Sequence, residues 1–198
     1  MDKEEIKQGA KKIWSFLKED TWPSFFVDLV LAFLIIKFVF FPLMSLATGS
    51  AMPLVIVESC SMYHSTNLED VMKNPIYNNF NLTLQDAKSW NFKGGINKGD
   101  IIFVLRPTNI RIGDVIIFAS TSTNPIIHRV ISLTPLETKG DHNSAQLDPD
   151  NNPQGVDETN IQKSQLQGKA IFRIPYLGWI KLIFFEPFRA SQDRGICH

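Results

Sequence analysis

Three segments of the chain carry side chains suited to nucleophilic chemistry. Glu58-Ser59-Cys60-Ser61-Met62-Tyr63-His64 sets two hydroxyls and a thiol side by side, where the chain leaves the apolar run Pro53–Val57. His128 is an imidazole inside another apolar run, Pro125–Leu133. Thr138-Lys139-Gly140-Asp141-His142-Asn143, followed by Asp148 and Asp150, supplies carboxylates. A serine hydroxyl is a poor nucleophile until a base takes its proton. An imidazole does this near neutral pH, and a carboxylate holds the ring in the useful tautomer. Taken singly, the segments read as a serine-rich turn, a satisfied core histidine and a hydrated acidic loop. Together they put a hydroxyl, an imidazole and a carboxylate in one domain. Cys60 and Cys197 are the only cysteines, too few for a disulfide framework; a single bridge between them is possible but has no support in the sequence. No Cys/His spacing resembles a zinc site, so neither metal nor cofactor is expected.

The elements that must position these groups begin with an anchor. Phe25–Leu46 is almost unbroken apolar chain, ~33 Å long as a helix and enough for the hydrocarbon core. It is too long for the core of a cleaved signal peptide, and the charged segment before it is too large. Asp28 sits near the start of the run. Lys37 is deeper, and a span from Trp22 brings it close enough to the far end to snorkel. Pro42 is expected to end or kink the helix. Lys3, Lys7, Lys11, Lys12 and Lys18 precede the run, and no Lys or Arg occurs between Ala47 and Met72. The positive-inside rule then places residues 1–21 in the cytoplasm, a single span at 22–46, and residues 47–198 outside. Ile6, Ala10, Ile13 and Leu17 recur at helical spacing, which predicts an amphipathic helix on the inner membrane surface.

Beyond the anchor the pattern turns to short β-type runs: Pro53–Val57, Asp100–Leu105, Asp114–Ala119, Pro125–Leu133 and Ala170–Ile174. They are rich in Ile, Val and Phe and bounded by Gly, Pro, Asn and Asp. No long amphipathic helix alternates with them, so the expected fold class is mainly β, an antiparallel domain tethered by one transmembrane helix. Lys98–Val104 and Ile112–Phe118 form a near-repeat, expected to be neighbouring strands entered by the same Gly-Asp turn. Residues 64–92 read as an insertion with short helices near 68–73 and 84–90, and 136–165 as a long polar loop. Asn81-Leu82-Thr83 is a glycosylation sequon. Residues 174–188 are apolar and aromatic but too short to span, and suit the membrane interface or a return to the core. The charge balance, 20 basic against 20 acidic residues, gives no footprint for nucleic acid.

Several boxes resemble, in order, those of type I signal peptidases. Ser59-Cys60-Ser61-Met62 is similar to their Ser-x-Ser-Met box, Gly113–Phe118 and His128-Arg129-Val130 to the next two, Thr138–Asn143 to the TKGD box, and Arg173–Trp179 to the closing box. They cover Leu54–Trp179, nearly all of the outer domain. The resemblance implies a membrane-bound serine endopeptidase that removes signal peptides from preproteins at the outer membrane face, alone or with accessory subunits. Ser61 would be the nucleophile, with its own N–H and the Ser59 hydroxyl meeting the oxyanion. His128 stands where common bacterial enzymes carry lysine, so the chain is similar to the archaeal and endoplasmic-reticulum branch. That branch places a second aspartate six residues after the TKGD aspartate. Here that position is Leu147, so a one-residue insertion makes Asp148 the expected partner of His128 and leaves Asp141 supporting. Asp150 is the remaining alternative.

Two other functions compete. A sortase-like transpeptidase would use Cys60 with His128 and Arg129. A non-catalytic anchored module would bind signal sequences without cutting them.

Overall fold

The computed structural model describes residues 3–120, 124–150, 152 and 155–197, without the side chains of Lys3, Ala10, Ile13 and Gln192. The chain forms two compact units, one up to Ala47 and one from Thr48 onward.

In the first unit, α1 (Lys3–Leu17) carries Glu4 and Glu5 in its first turn, where the helix dipole favours negative charge. Of its expected apolar stripe, Ile6 is exposed and Leu17 half-buried; the side chains of Ala10 and Ile13 lie outside the described residues. Thr21 caps α2 (Trp22–Ile35) by accepting the Ser24 N–H, and a proline fills the first turn. The helix runs on through a π-helical turn (Ile36–Phe40) into α3 (Phe41–Thr48). Pro42 therefore does not end it. In the wider turn the Phe41 N–H bonds back to the Ile36 carbonyl, directly before the proline. Lys37 lies in that turn, its Nζ 5.7 and 5.3 Å from the Phe33 and Phe38 ring centres. The 27 residues Trp22–Thr48 are long and apolar enough to cross a membrane.

The second unit is built on a six-stranded sheet in the order β1-β2-β6-β3-β4-β5, with every pairing antiparallel. The strands are β1 (Leu54–Ile56), β2 (Ile101–Leu105), β3 (Val115–Phe118), β4 (Ile126–Leu133), β5 (Leu136–Lys139) and β6 (Leu166–Ile174). Between β1 and β2 lie α4 (Leu68–Met72), α5 (Pro75–Asn79) and α6 (Leu84–Ala87), and α7 (Trp179–Phe185) follows β6. Among the described residues helix accounts for 37 % and strand for 18 %, which corrects the expectation of a mainly β chain. The membrane-length helix and the helices of the insertion outweigh a small sheet. The antiparallel sheet and the single long apolar N-terminal helix stand.

Two further expectations are corrected. The near-repeat strands β2 and β3 are not neighbours, because β6 pairs with both and separates them. Residues 136–165 are not one loop, since they open with β5 and close with a 3₁₀ turn at Lys163–Gln165.

Both faces of the sheet are covered. Val115, Ile117 and Ile127 join Val57, Met62 and Ile96 on one face, while Ile131 packs with Tyr77 and Trp90 of the insertion. Ile116, Phe118 and Val130 pack on the other against Val156 and Ile161. Strand alternation follows: neighbours in β4 point to opposite faces, so His128 and Arg129 look into different surroundings.

Candidate active site

Ser61 sits in a tight turn beyond β1, closed by the Tyr63 N–H to the Cys60 carbonyl at 3.0 Å. Its hydroxyl lies 3.3 Å from that of Ser59. The Ser61 carbonyl accepts the His142 N–H at 2.8 Å, which ties the turn to the segment leaving β5. Between them lies Gly140. A Cβ built on Gly140 would fall 2.8 Å from His128 Nε2, 2.8 Å from the Ser61 carbonyl oxygen and 2.7 Å from Asn143 Nδ2. Only a residue without a side chain lets these three groups converge.

His128 is buried in the middle of β4, opposite Ile116 of β3. Its Nδ1 is hydrogen-bonded to Glu158 Oε1. Glu158 also accepts the Thr138 hydroxyl at 2.9 Å and the Leu147 N–H at 2.8 Å, and its side chain is fully buried. Where the Glu158 carboxylate accepts, Nδ1 is the donor, and Nε2 lies on the side of Gly140 and the Ser61 carbonyl. An imidazole whose Nδ1 is held by a carboxylate in this way can take up a proton at Nε2.

The carboxylate at the His128 ring is thus Glu158, where the sequence reading expected Asp148. Asp148 is half-buried in the loop, where its Oδ1 accepts the Asp150 N–H at 2.9 Å, and its carboxylate does not meet His128. Asp150 is exposed. Glu158 reaches His128 because the polar segment doubles back along β5. The Thr138 N–H bonds the Glu158 carbonyl at 3.0 Å, and the Ile161 N–H bonds the Leu136 carbonyl at 2.9 Å. Counting residues from the TKGD box cannot see that return. The one sequence signal was Val156 and Ile161, apolar residues that frame Glu158 in the polar stretch and are both buried.

Asp141 serves the opposite face. Its carboxylate binds Arg129 through Nε at 2.8 Å and Nη2 at 2.6 Å, and His64 Nε2 at 2.8 Å. Burial by itself raises the Asp141 carboxyl, but Arg129 and His64 more than offset it and hold it well below the usual carboxylate range. Arg129 also donates to the carbonyls of Asn91 and Gly113, both at 2.8 Å, and lies 5.1 Å from the Trp90 ring centre. Asp141 and Arg129 thus fasten His64 and the insertion residue Asn91 to the sheet.

Cys60 is bonded to Cys197 in a disulfide. A sulfur so bonded offers no thiolate, which removes the Cys60 nucleophile and the sortase-like reading. Among the described residues no group of His, Cys, Asp and Glu could hold a metal ion.

Comparison of the chain with protein-family models and with curated proteins finds no match.

Proposed function

We propose that the chain is a membrane-anchored serine endopeptidase with a Ser61–His128–Glu158 triad, acting on signal peptides as type I signal peptidases do. The observation that carries the reading is His128, whose Nδ1 is held by buried Glu158 while Nε2 lies beside Gly140 and the Ser61 turn. Ser61 attacks the scissile carbonyl as His128 takes its proton. The proton then passes to the leaving amine, and water resolves the acyl-enzyme by the same relay. The Ser61 N–H and the Ser59 hydroxyl meet the oxyanion; the 3.3 Å between the two hydroxyls favours that role.

The substrate strand pairs with the sheet edges. β1 and β5 are the two outer strands, and β1 leads into Ser61 as β5 leads into Gly140. Main-chain bonds along an edge give affinity, and alternate side chains give selection. The apolar helix Trp22–Thr48 holds the enzyme in the membrane through which signal peptides arrive, with the lysine-rich N-terminus cytoplasmic and the β domain outside. In α7, Ile180, Ile183 and Phe184 are exposed while Leu182 is buried, a face suited to the membrane interface.

The test is cleavage of a preprotein by the detergent-solubilised full chain. Ser61→Ala and His128→Ala abolish cleavage, Glu158→Gln lowers turnover by roughly 10²–10⁴-fold, and Asp148→Asn leaves turnover within about twofold of the parent. A folded parent chain that binds the preprotein and cleaves nothing, under varied detergents and lipids, would overturn the reading in favour of a binding module.

A further inference from the structure

The turn carrying Ser59 and Ser61 is held from outside the sheet, by the last dozen residues of the chain. Cys60, directly before Ser61, is joined to Cys197 across a sequence separation of 137 residues. On the other side of Ser59, the Glu58 carbonyl accepts Arg189 Nη1 at 3.1 Å and its carboxylate pairs with Arg189 Nη2 at 2.5 Å. The same C-terminal segment is pinned to the domain by Lys98, whose buried Nζ donates to Glu186 Oε2 at 2.9 Å and to the Asp193 carbonyl at 2.6 Å. Glu186 Oε2 also accepts the Gly195 N–H at 2.7 Å, and Arg194 donates to the carbonyls of Arg189 and Pro187 at 2.7 and 2.9 Å. Phe188 and Ile196 are exposed, so apolar burial contributes little to holding the segment down. Its ties are polar or covalent: Lys98 pins it to the domain, and Arg189 and Cys197 reach residues 58 and 60.

We infer that residues 186–197 form a strap that positions the nucleophile turn, with the Cys60–Cys197 bond and Arg189 as its positioning residues. The inference rests on the peptidase reading of Ser61. Catalysis needs the attacking hydroxyl and the oxyanion donor fixed to within a fraction of an ångström, and misplacement by about 1 Å costs on the order of 10² in rate. Substrate pairing along the strand edges does not involve the strap. Loosening it therefore lowers kcat and leaves KM nearly as it was.

Reductive opening is the direct probe. A dithiol passes two electrons and two protons to the S–S bond, which opens to the Cys60 and Cys197 thiols, and the reagent closes to its own cyclic disulfide. The expected result in the full chain is a fall in kcat of about 10- to 100-fold with KM within about twofold, reversed on reoxidation. The Cys60→Ala/Cys197→Ala variant shows the same fall and no further response to the dithiol. Arg189→Ala lowers kcat in the oxidised enzyme, and Arg189→Lys restores part of it. Hydrogen exchange of the backbone at residues 58–62 is followed in parallel and quickens on reduction. Unchanged kcat and unchanged exchange, with both thiols verified free, would overturn the strap. If the parent chain cleaves nothing in either redox state, the peptidase reading fails, and the exchange measurement alone decides the strap. If the double variant does not fold, reduction and reoxidation of the parent chain decide it.

Discussion

At the scale of single residues, the buried charges around Arg129 bear directly on stability. Asp141 and Arg129 have almost no solvent exposure, and each compensates the other. Asp141→Asn leaves the Arg129 charge buried without a counter-charge, and is expected to cost roughly 3–5 kcal/mol of folding stability in urea unfolding at pH 7. The pH dependence has a definite sign. The Asp141 carboxyl is depressed in the folded state, so its stabilisation is present above the ordinary carboxylate value and is lost as pH falls toward the folded one. Urea midpoints between pH 7 and pH 3 should therefore fall less steeply in Asp141→Asn than in the parent. Lys139 has the opposite logic. Burial lowers its ammonium to about 8, while its unfolded value is ~10.4. Between those values the unfolded chain binds more protons, so this group makes the protein more stable as pH rises from about 8 toward 10. Lys139→Met should flatten that rise in urea midpoints. At Gly140, alanine would drive a methyl into His128 Nε2 and the Ser61 carbonyl, each 2.8 Å away. Gly140→Ala should lose cleavage by at least 10-fold and also lower the melting temperature, because the Ser61 carbonyl is backbone and must shift to admit the methyl.

At the scale of elements, the two Gly-Asp turns are one device used twice. In each, the aspartate accepts the N–H three residues back, Asn97 to Asp100 at 2.9 Å and Arg111 to Asp114 at 2.7 Å. Each glycine has φ +88° and lies under an indole, Gly99 under Trp179 and Gly113 under Trp90. Each aspartate also pairs with a cation of β6, Asp100 with Arg173 and Asp114 with Lys169. The near-repeat in the sequence is therefore real, but it marks two strands that flank β6 instead of pairing with each other. Gly99→Ala and Gly113→Ala each add left-handed strain and a methyl 2.1 Å from an indole carbon, and should each cost roughly 2–4 kcal/mol in denaturant unfolding. The insertion is held by the same kind of contact, with Trp90 on Arg129 at 5.1 Å and Tyr77 on Lys139 at 5.3 Å. Two buried cations of β4 and β5 thus add to the apolar cluster around Ile131 in seating the insertion against the sheet. Inside that insertion, Asn81 of the sequon is exposed, and Thr83 caps α6 through a reciprocal bond with Asp86.

At the scale of the whole molecule, the chain divides into a long apolar helix with its N-terminal extension and a sheet domain with its own core. The membrane reading of Trp22–Thr48 predicts that the full chain stays with the membrane fraction after alkaline carbonate washing. Release into the soluble fraction would sink it. The Cys60–Cys197 bond closes most of the domain into one loop, so its removal relaxes the unfolded chain as well as the site. Reduction should cost about 2–5 kcal/mol of stability, seen as a lower melting temperature under dithiol.

The sequence by itself determined the long apolar helix near the N-terminus, five of the six strands, short helices in the insertion and the placement of Ser59, Ser61 and His128 in one domain. These are local properties, set by hydrophobic periodicity, turn residues and box order, so they could be read one segment at a time. What only the tertiary structure decided were pairings between segments far apart in the chain. Glu158 reaches His128 because 156–161 folds back along β5. Asp141 turns to Arg129 because adjacent residues of β4 face opposite sides. β6 inserts between β2 and β3, and Cys197 closes on Cys60. None of these follows from composition or spacing, because each depends on which surfaces meet once the sheet has formed.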